Sequence, residues 1–204
     1  MRYIAEVSSP AANTVRAADW STRHSVLAMA RRSAALLNVL GAPADAPPAP
    51  DAVAAVLRDH GEEGPLALTA GEVEEMRSAA GLLREVFAAR DVDEGAAVLN
   101  RLLREHTGPL RLTAHGGGTP WHPHLDRDDD GPFGAWLLAS SCLALTVLLW
   151  DHQRLPGRVC ASPACTDVFI THGSGPERRY CSRRCATRER VAAHRRDRAA
   201  AASR

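Results

Sequence analysis

The stretch CASPACTDVFITHGSGPERRYCSRRCATR, running from Cys160 to Arg188, decides the fold of the C-terminal part of the chain. It carries four cysteines in the order Cys160-x4-Cys165-x15-Cys181-x3-Cys185. Two close pairs separated by a mid-length loop let four thiolates converge on one tetrahedral zinc ion. Between the pairs, Asp167 to Thr171 alternates around apolar residues, His172-Gly173-Ser174-Gly175-Pro176 reads as a turn, and Arg178-Arg179-Tyr180 leads into the second pair. The spacing predicts a short hairpin whose two ends each deliver a cysteine pair, followed by a helix beginning around Cys185. A segment of about forty residues buries too little apolar surface to fold alone. Zinc held by four thiolates supplies about 10 kcal/mol or more of folding free energy. One zinc ion per chain, on Cys160, Cys165, Cys181 and Cys185, is therefore the expectation.

Outward from this stretch, charge separates the chain into two parts. All 25 basic residues are arginine. From Arg158 onward there are 11 arginines against four acids, a formal +7, whereas the first 157 residues carry 14 arginines against 20 acids, or −6. A tetrathiolate zinc centre carries −2, so the metallated tail stands at about +5. An acidic body joined to a basic, metal-stapled tail is the pattern of a sensor or partner domain fused to a nucleic-acid-binding module. At about 100° per residue, Arg184, Arg188 and Arg195 fall within an arc of about 40° on the helix after Cys181, with Arg198 beside them. Arg178, Arg179 and Arg183 precede the helix, and Arg196 lies farther round it. Guanidinium groups grip phosphate oxygens with two donors or read guanine edges in the major groove, so these eight arginines are the candidate DNA contacts.

The cysteine pairs, Val168-Phe169-Ile170, and the run from Arg178 through Cys181-Ser182-Arg183-Arg184-Cys185 to Arg188 together resemble the CGNR zinc-finger family. That family is named for a Cys-Gly-Asn-Arg signature that opens on the fourth metal ligand. Here the signature reads Cys185-Ala186-Thr187-Arg188 and keeps the first and last letters. The resemblance covers about Arg158 to Arg196. It implies an N-terminal ABATE domain, to which Asn13-Thr14 is similar near its start, and a role as a bacterial, stress-induced transcription regulator. It also implies a ligand role for Cys185 and a functional role for Arg188.

Periodicity and punctuation organise the remainder. Helices are predicted over about Asp19–Leu40 with Gly41 as stop, Asp51–His60, from a capping box at Thr69 and Glu72 to about Arg90, and over Asp93–His106. Leu110–Ala114 and Trp121–Leu125 suggest a hairpin across Gly116-Gly117-Gly118, and a last helix runs from about Pro132 to His152. The expected fold is mainly α with one small β-hairpin. A helical regulatory or dimerisation domain over residues 1–155 precedes a zinc-stapled ββα-like, treble-clef-like module over 156–204.

Gly131 to Trp150 contains no charge and is long enough to span a bilayer. Its polar Ser140, Ser141 and Thr146 and its acidic flanks favour a central core helix instead. With no apolar run behind basic residues near Met1, a cytoplasmic location and reduced cysteines are expected, with Cys142 a small buried hydrophobe.

Catalytic constellations are weak, and a non-enzyme is expected. Asp126-x-Asp128-x-Asp130-Gly131 begins like a calcium loop, but its twelfth position is Leu137 in place of a glutamate. His122 and His124 alternate onto one strand face with His115 nearby, a pattern open to a metal or an acidic effector but lacking a third ligand at a recognisable spacing. Together with Asn13 and Thr14 they are the candidate effector residues. The favoured function is a DNA-binding transcription regulator whose helical domain senses a small molecule or forms a homodimer. The alternatives are a zinc-stapled adaptor for an acidic protein or RNA, and a thiol-based redox sensor.

Overall fold

A computed structural model describes residues 25–43, 45–62, 66–117, 119–127, 131–172 and 178–202. Asn13, Thr14, the predicted helical start over 19–24, and the turn over 173–177 lie outside the described residues.

Among the described residues, five helices build the body. The first, α1 (Val26–Leu40), starts on Ser25, whose hydroxyl accepts from the Ala28 amide, and ends where the Gly41 amide returns to the Leu37 carbonyl. Its stripe of Ala30, Ala34, Leu37 and Leu40 is buried at the spacing of one helix face. A short helix, α2 (Pro50–Asp59), opens with proline in its first turn, where the missing N–H costs no hydrogen bond. The predicted capping box forms: the Thr69 hydroxyl and the Glu72 carboxylate exchange hydrogen bonds with each other's backbone amides at the start of α3 (Ala70–Ala88). Asp91 caps α4 (Val92–His106) through the Glu94 amide. Strands β1 (Arg111–Thr113) and β2 (His122–His124) then pair antiparallel, with Leu112 opposite Pro123.

The helix α5 (Phe133–His152), uncharged as far as Trp150, forms the centre of the body and packs on α1, α3 and α4. It is the one described helix long and apolar enough to cross a membrane, yet half of it is buried inside the fold, including Leu137, Cys142, Leu145 and Leu148. Its crossing with α3 is close: a Cβ on Gly134 would sit 2.8 Å from the Glu75 carbonyl oxygen.

A second two-stranded sheet begins the C-terminal part: β3 (Gly157–Val159) pairs antiparallel with β4 (Val168–Ile170). The hairpin thus closes around the first cysteine pair, with β3 as the partner of β4 in place of the Arg178–Tyr180 segment expected from sequence. That segment is attached differently, through an Ala161 amide to Arg179 carbonyl bond of 2.9 Å. The reason is burial. Val168 and Ile170 belong to the same apolar core as α1, α3 and α5, so β4 is drawn against the body. Asn38 of α1 completes its edge, accepting from the Val168 amide at 2.8 Å and donating to the Val168 carbonyl at 3.0 Å. Arg84 of α3 donates to the Thr166 carbonyl. At Gly157 a Cβ would meet the Phe87 ring at 2.4 Å, so only glycine lets β3 lie against α3. The last helix, α6 (Arg183–Ala202), leaves this module as a 20-residue rod.

Candidate metal centre and nucleic-acid interface

Each cysteine arrives by its own local device. The Cys160 amide bonds the Asp167 carbonyl at 2.8 Å and the Cys165 amide bonds the Ser162 carbonyl at 2.9 Å, which folds residues 160–167 into a tight knuckle. The Ala161–Arg179 bond brings Cys181 over that knuckle, and the Cys181 amide points at the Cys160 sulfur at 3.4 Å. Ser182 then turns the chain into α6, its hydroxyl accepting from the Cys185 amide at 3.3 Å.

The four sulfurs lie within 4.8 Å of one another. Sγ of Cys181 is 3.7 Å from both Cys165 and Cys185. For a zinc–sulfur distance of about 2.3 Å, a tetrahedron places neighbouring sulfurs about 3.8 Å apart. The cluster has the dimensions of a tetrathiolate zinc site, and its all-sulfur donor set suits a soft or borderline ion. Burial pushes the Cys181 thiol up, while the Ser182 hydroxyl holds Cys185 down. A metal would bind all four as thiolates.

Arg188 sits behind the cluster. Its Nε and Nη2 donate to the Ser162 hydroxyl at 3.2 and 2.6 Å, and Nη2 also reaches the Cys185 sulfur at 3.5 Å. Ser162 in turn donates to Glu189. The last residue of the signature thus ties the start of α6 to the knuckle and supplies positive charge beside the thiolates. Its position on the candidate DNA face, read from helical spacing, is accordingly not where its side chain lies.

The packed side of α6 consists of Cys185, Ala186, Arg188, Glu189, Ala192 and Ala193, all buried or half-buried. Opposite it, Arg183, Thr187, Arg190, Val191, His194 and Arg198 are exposed within an arc of about 100°, with exposed Arg184 and Arg195 at its border. The basic face is therefore turned about a quarter of the way round the helix from the arc expected from sequence. Arg190 is the residue the sequence reading omitted; only the direction of Cys185 would have revealed it. Arg196 is exposed farther round, and exposed Arg178 and Arg179 lead into the metal site. Arg178 also donates to the Ile170 carbonyl at 3.1 Å and lies over the Phe169 ring.

His122 and His124 meet His115 at one end of a cavity of about 320 Å³. Its walls are largely apolar, from Val26 and Met29 of α1 and Trp136, Ala139, Leu143 and Val147 of α5. Arg32, paired with Glu62 and stacked 4.6 Å over Trp136, also lines it. Burial pulls the Arg32 guanidinium down from its usual range, and Glu62 opposes that shift.

Residues 30–152 match the family model ABATE, described as "Putative stress-induced transcription regulator", and residues 157–198 match the CGNR zinc finger. No curated protein matches the chain.

Proposed function

The chain belongs to the ABATE family, with a CGNR zinc finger as its C-terminal module, and from that premise we propose that it is a DNA-binding transcription regulator. The zinc-stapled module presents the exposed face of α6 to DNA. The observation that carries this reading is the division of α6 into two sides. One side is tied down by Cys185, Arg188 and Glu189, and the other offers Arg183, Arg190 and Arg198, flanked by Arg184 and Arg195, to solvent. A helix positioned by a metal at its start and basic along its open face matches the requirement for phosphate and major-groove contact. Arg188 acts as a positioning residue within this scheme. The cavity between α1, α5 and β2 serves as the effector pocket of the helical domain, and dimerisation through that domain would double the contact with DNA.

The test is binding of the zinc-loaded full chain to DNA from its own promoter across a salt series. Each neutralised phosphate contributes about −0.9 to the slope of log K against log salt, so Arg190→Ala and Arg195→Ala should each flatten the slope by about 0.9. Chelation of zinc should abolish binding. Metallated protein that binds no DNA at low salt would overturn the proposal.

A further inference from the structure

We propose that His115, His122 and His124 form a second metal site, separate from the thiolate cluster, that takes a borderline divalent cation such as zinc. The inference stands apart from the DNA-binding reading and rests on the direction of lone pairs. The His122 Nδ1 lies 2.8 Å from the Pro120 carbonyl, which can only accept, so Nδ1 carries the hydrogen and a neutral ring presents Nε2 as an acceptor. The His124 Nδ1 lies 2.7 Å from the Asp126 carboxylate and is fixed in the same tautomer. Yet the two Nε2 atoms stand only 2.9 Å apart, and the His115 Nε2 is 3.3 Å from that of His122. Lone pairs brought this close converge on a shared cation, a metal ion or a proton.

The distances are those of a coordination sphere. At a metal–nitrogen distance of about 2.0–2.1 Å, ligand nitrogens lie about 3.3–3.4 Å apart in a tetrahedron and about 2.8–3.0 Å apart on an octahedral face. The supporting groups also match. Asp126 is buried and held at 3.0 Å by Arg111, so it orients the His124 ring as a carboxylate does behind a metal-bound imidazole. His115 is carried on a backbone with φ of 45°, a conformation costly for a residue with a side chain, and the turn it makes directs its ring toward the other two. Asp126 is a positioning residue here, and the three imidazoles are the ligands.

The experiment is equilibrium dialysis of the full chain against excess zinc, with metal counted by elemental analysis. Two zinc ions per chain are expected. His122→Gln and His124→Gln should each retain one, on the thiolates, and Cys185→Ser should retain one, on the histidines. Asp126→Asn should keep two but bind the second about 10- to 100-fold more weakly. Unchanged circular dichroism of the histidine variants shows that the loss is local. A single zinc per wild-type chain, as a proton shared among the rings would give, overturns the proposal. So does a second ion that both histidine variants retain at wild-type affinity.

Discussion

Replacing Asn38 by alanine tests whether the helical body holds the zinc module or merely touches it. The Asn38 side chain supplies both hydrogen bonds of the Val168 peptide edge, at 2.8 and 3.0 Å, and Val168 is 1% exposed. Each bond contributes about 0.5–1.5 kcal/mol net, and a buried polar group left without a partner costs about 1–3 kcal/mol. Asn38 is half-buried, so water can reach part of the gap, and the expected loss is about 2–4 kcal/mol for the two groups together. If this loss falls on local opening of β4, its amides exchange with solvent about 30- to 1000-fold faster, while those of α3 and α5 are unchanged. Asn38→Asp is the informative companion. It keeps an acceptor for the Val168 amide but sets a carboxylate oxygen against the Val168 carbonyl, so it should not restore protection. Native-state hydrogen exchange on the zinc-loaded chain reads both. A change below about 0.5 kcal/mol in the alanine variant would refute the assignment of Asn38 as the edge partner of β4.

Three further outcomes follow from the same packing. Gly157→Ala places a Cβ 2.4 Å from the Phe87 ring and should cost about 1–3 kcal/mol in chemical denaturation, a loss that Phe87→Leu partly recovers in the double variant. Arg188→Lys keeps the charge but loses the forked donors to Ser162, and zinc affinity measured by chelator competition should fall about 10- to 100-fold; unchanged affinity would make Arg188 an ordinary surface residue. Burial pushes the Cys142 thiol up to about 12 from an ordinary value of 9.0, so the native state keeps its proton where the unfolded state loses it. That stability is present below pH 9 and is lost as pH rises toward 12, by about 1.4 kcal/mol per pH unit, and Cys142→Ala should flatten this alkaline slope in equilibrium unfolding.

The features legible in the sequence were those written in short-range chemistry. Cysteine pairs must be close in the chain to share one ion, and the capping box at Thr69 and the stop at Gly41 mark helix ends through atoms only a few residues away, whereas the cap at Ser25 was not read and the helix was started too early. Central packing of α5 was readable because an uncharged helix with acidic flanks has few other places to go. What stayed hidden depends on contacts across the fold. Gly157-Arg158-Val159 is too short and too mixed to announce a strand, and it becomes one only because Phe87 and β4 flank it. The facing of α6 was read about a quarter turn out because helical spacing gives relative angles, whereas Ser162, 26 residues from Arg188, sets the absolute one. Similarly, His115 lacks a recognisable ligand spacing and joins His122 and His124 only where the chain between β1 and β2 folds back, whereas Asp126 follows His124 at the strand spacing of two.

Strand β4 is owned by two structures at once. Val168 and Ile170 complete the core of the helical body, and the same strand continues from the knuckle that carries Cys160 and Cys165. Zinc on the thiolates and a ligand in the cavity beside α1 and α5 would therefore act on one folding equilibrium. Whatever factor a cavity ligand applies to zinc affinity, zinc must return to that ligand, because the two bindings form a closed thermodynamic cycle. Under the proposed function, news of the cavity would reach the arginines of α6 without a hinge, through the firmness with which one three-residue strand is held.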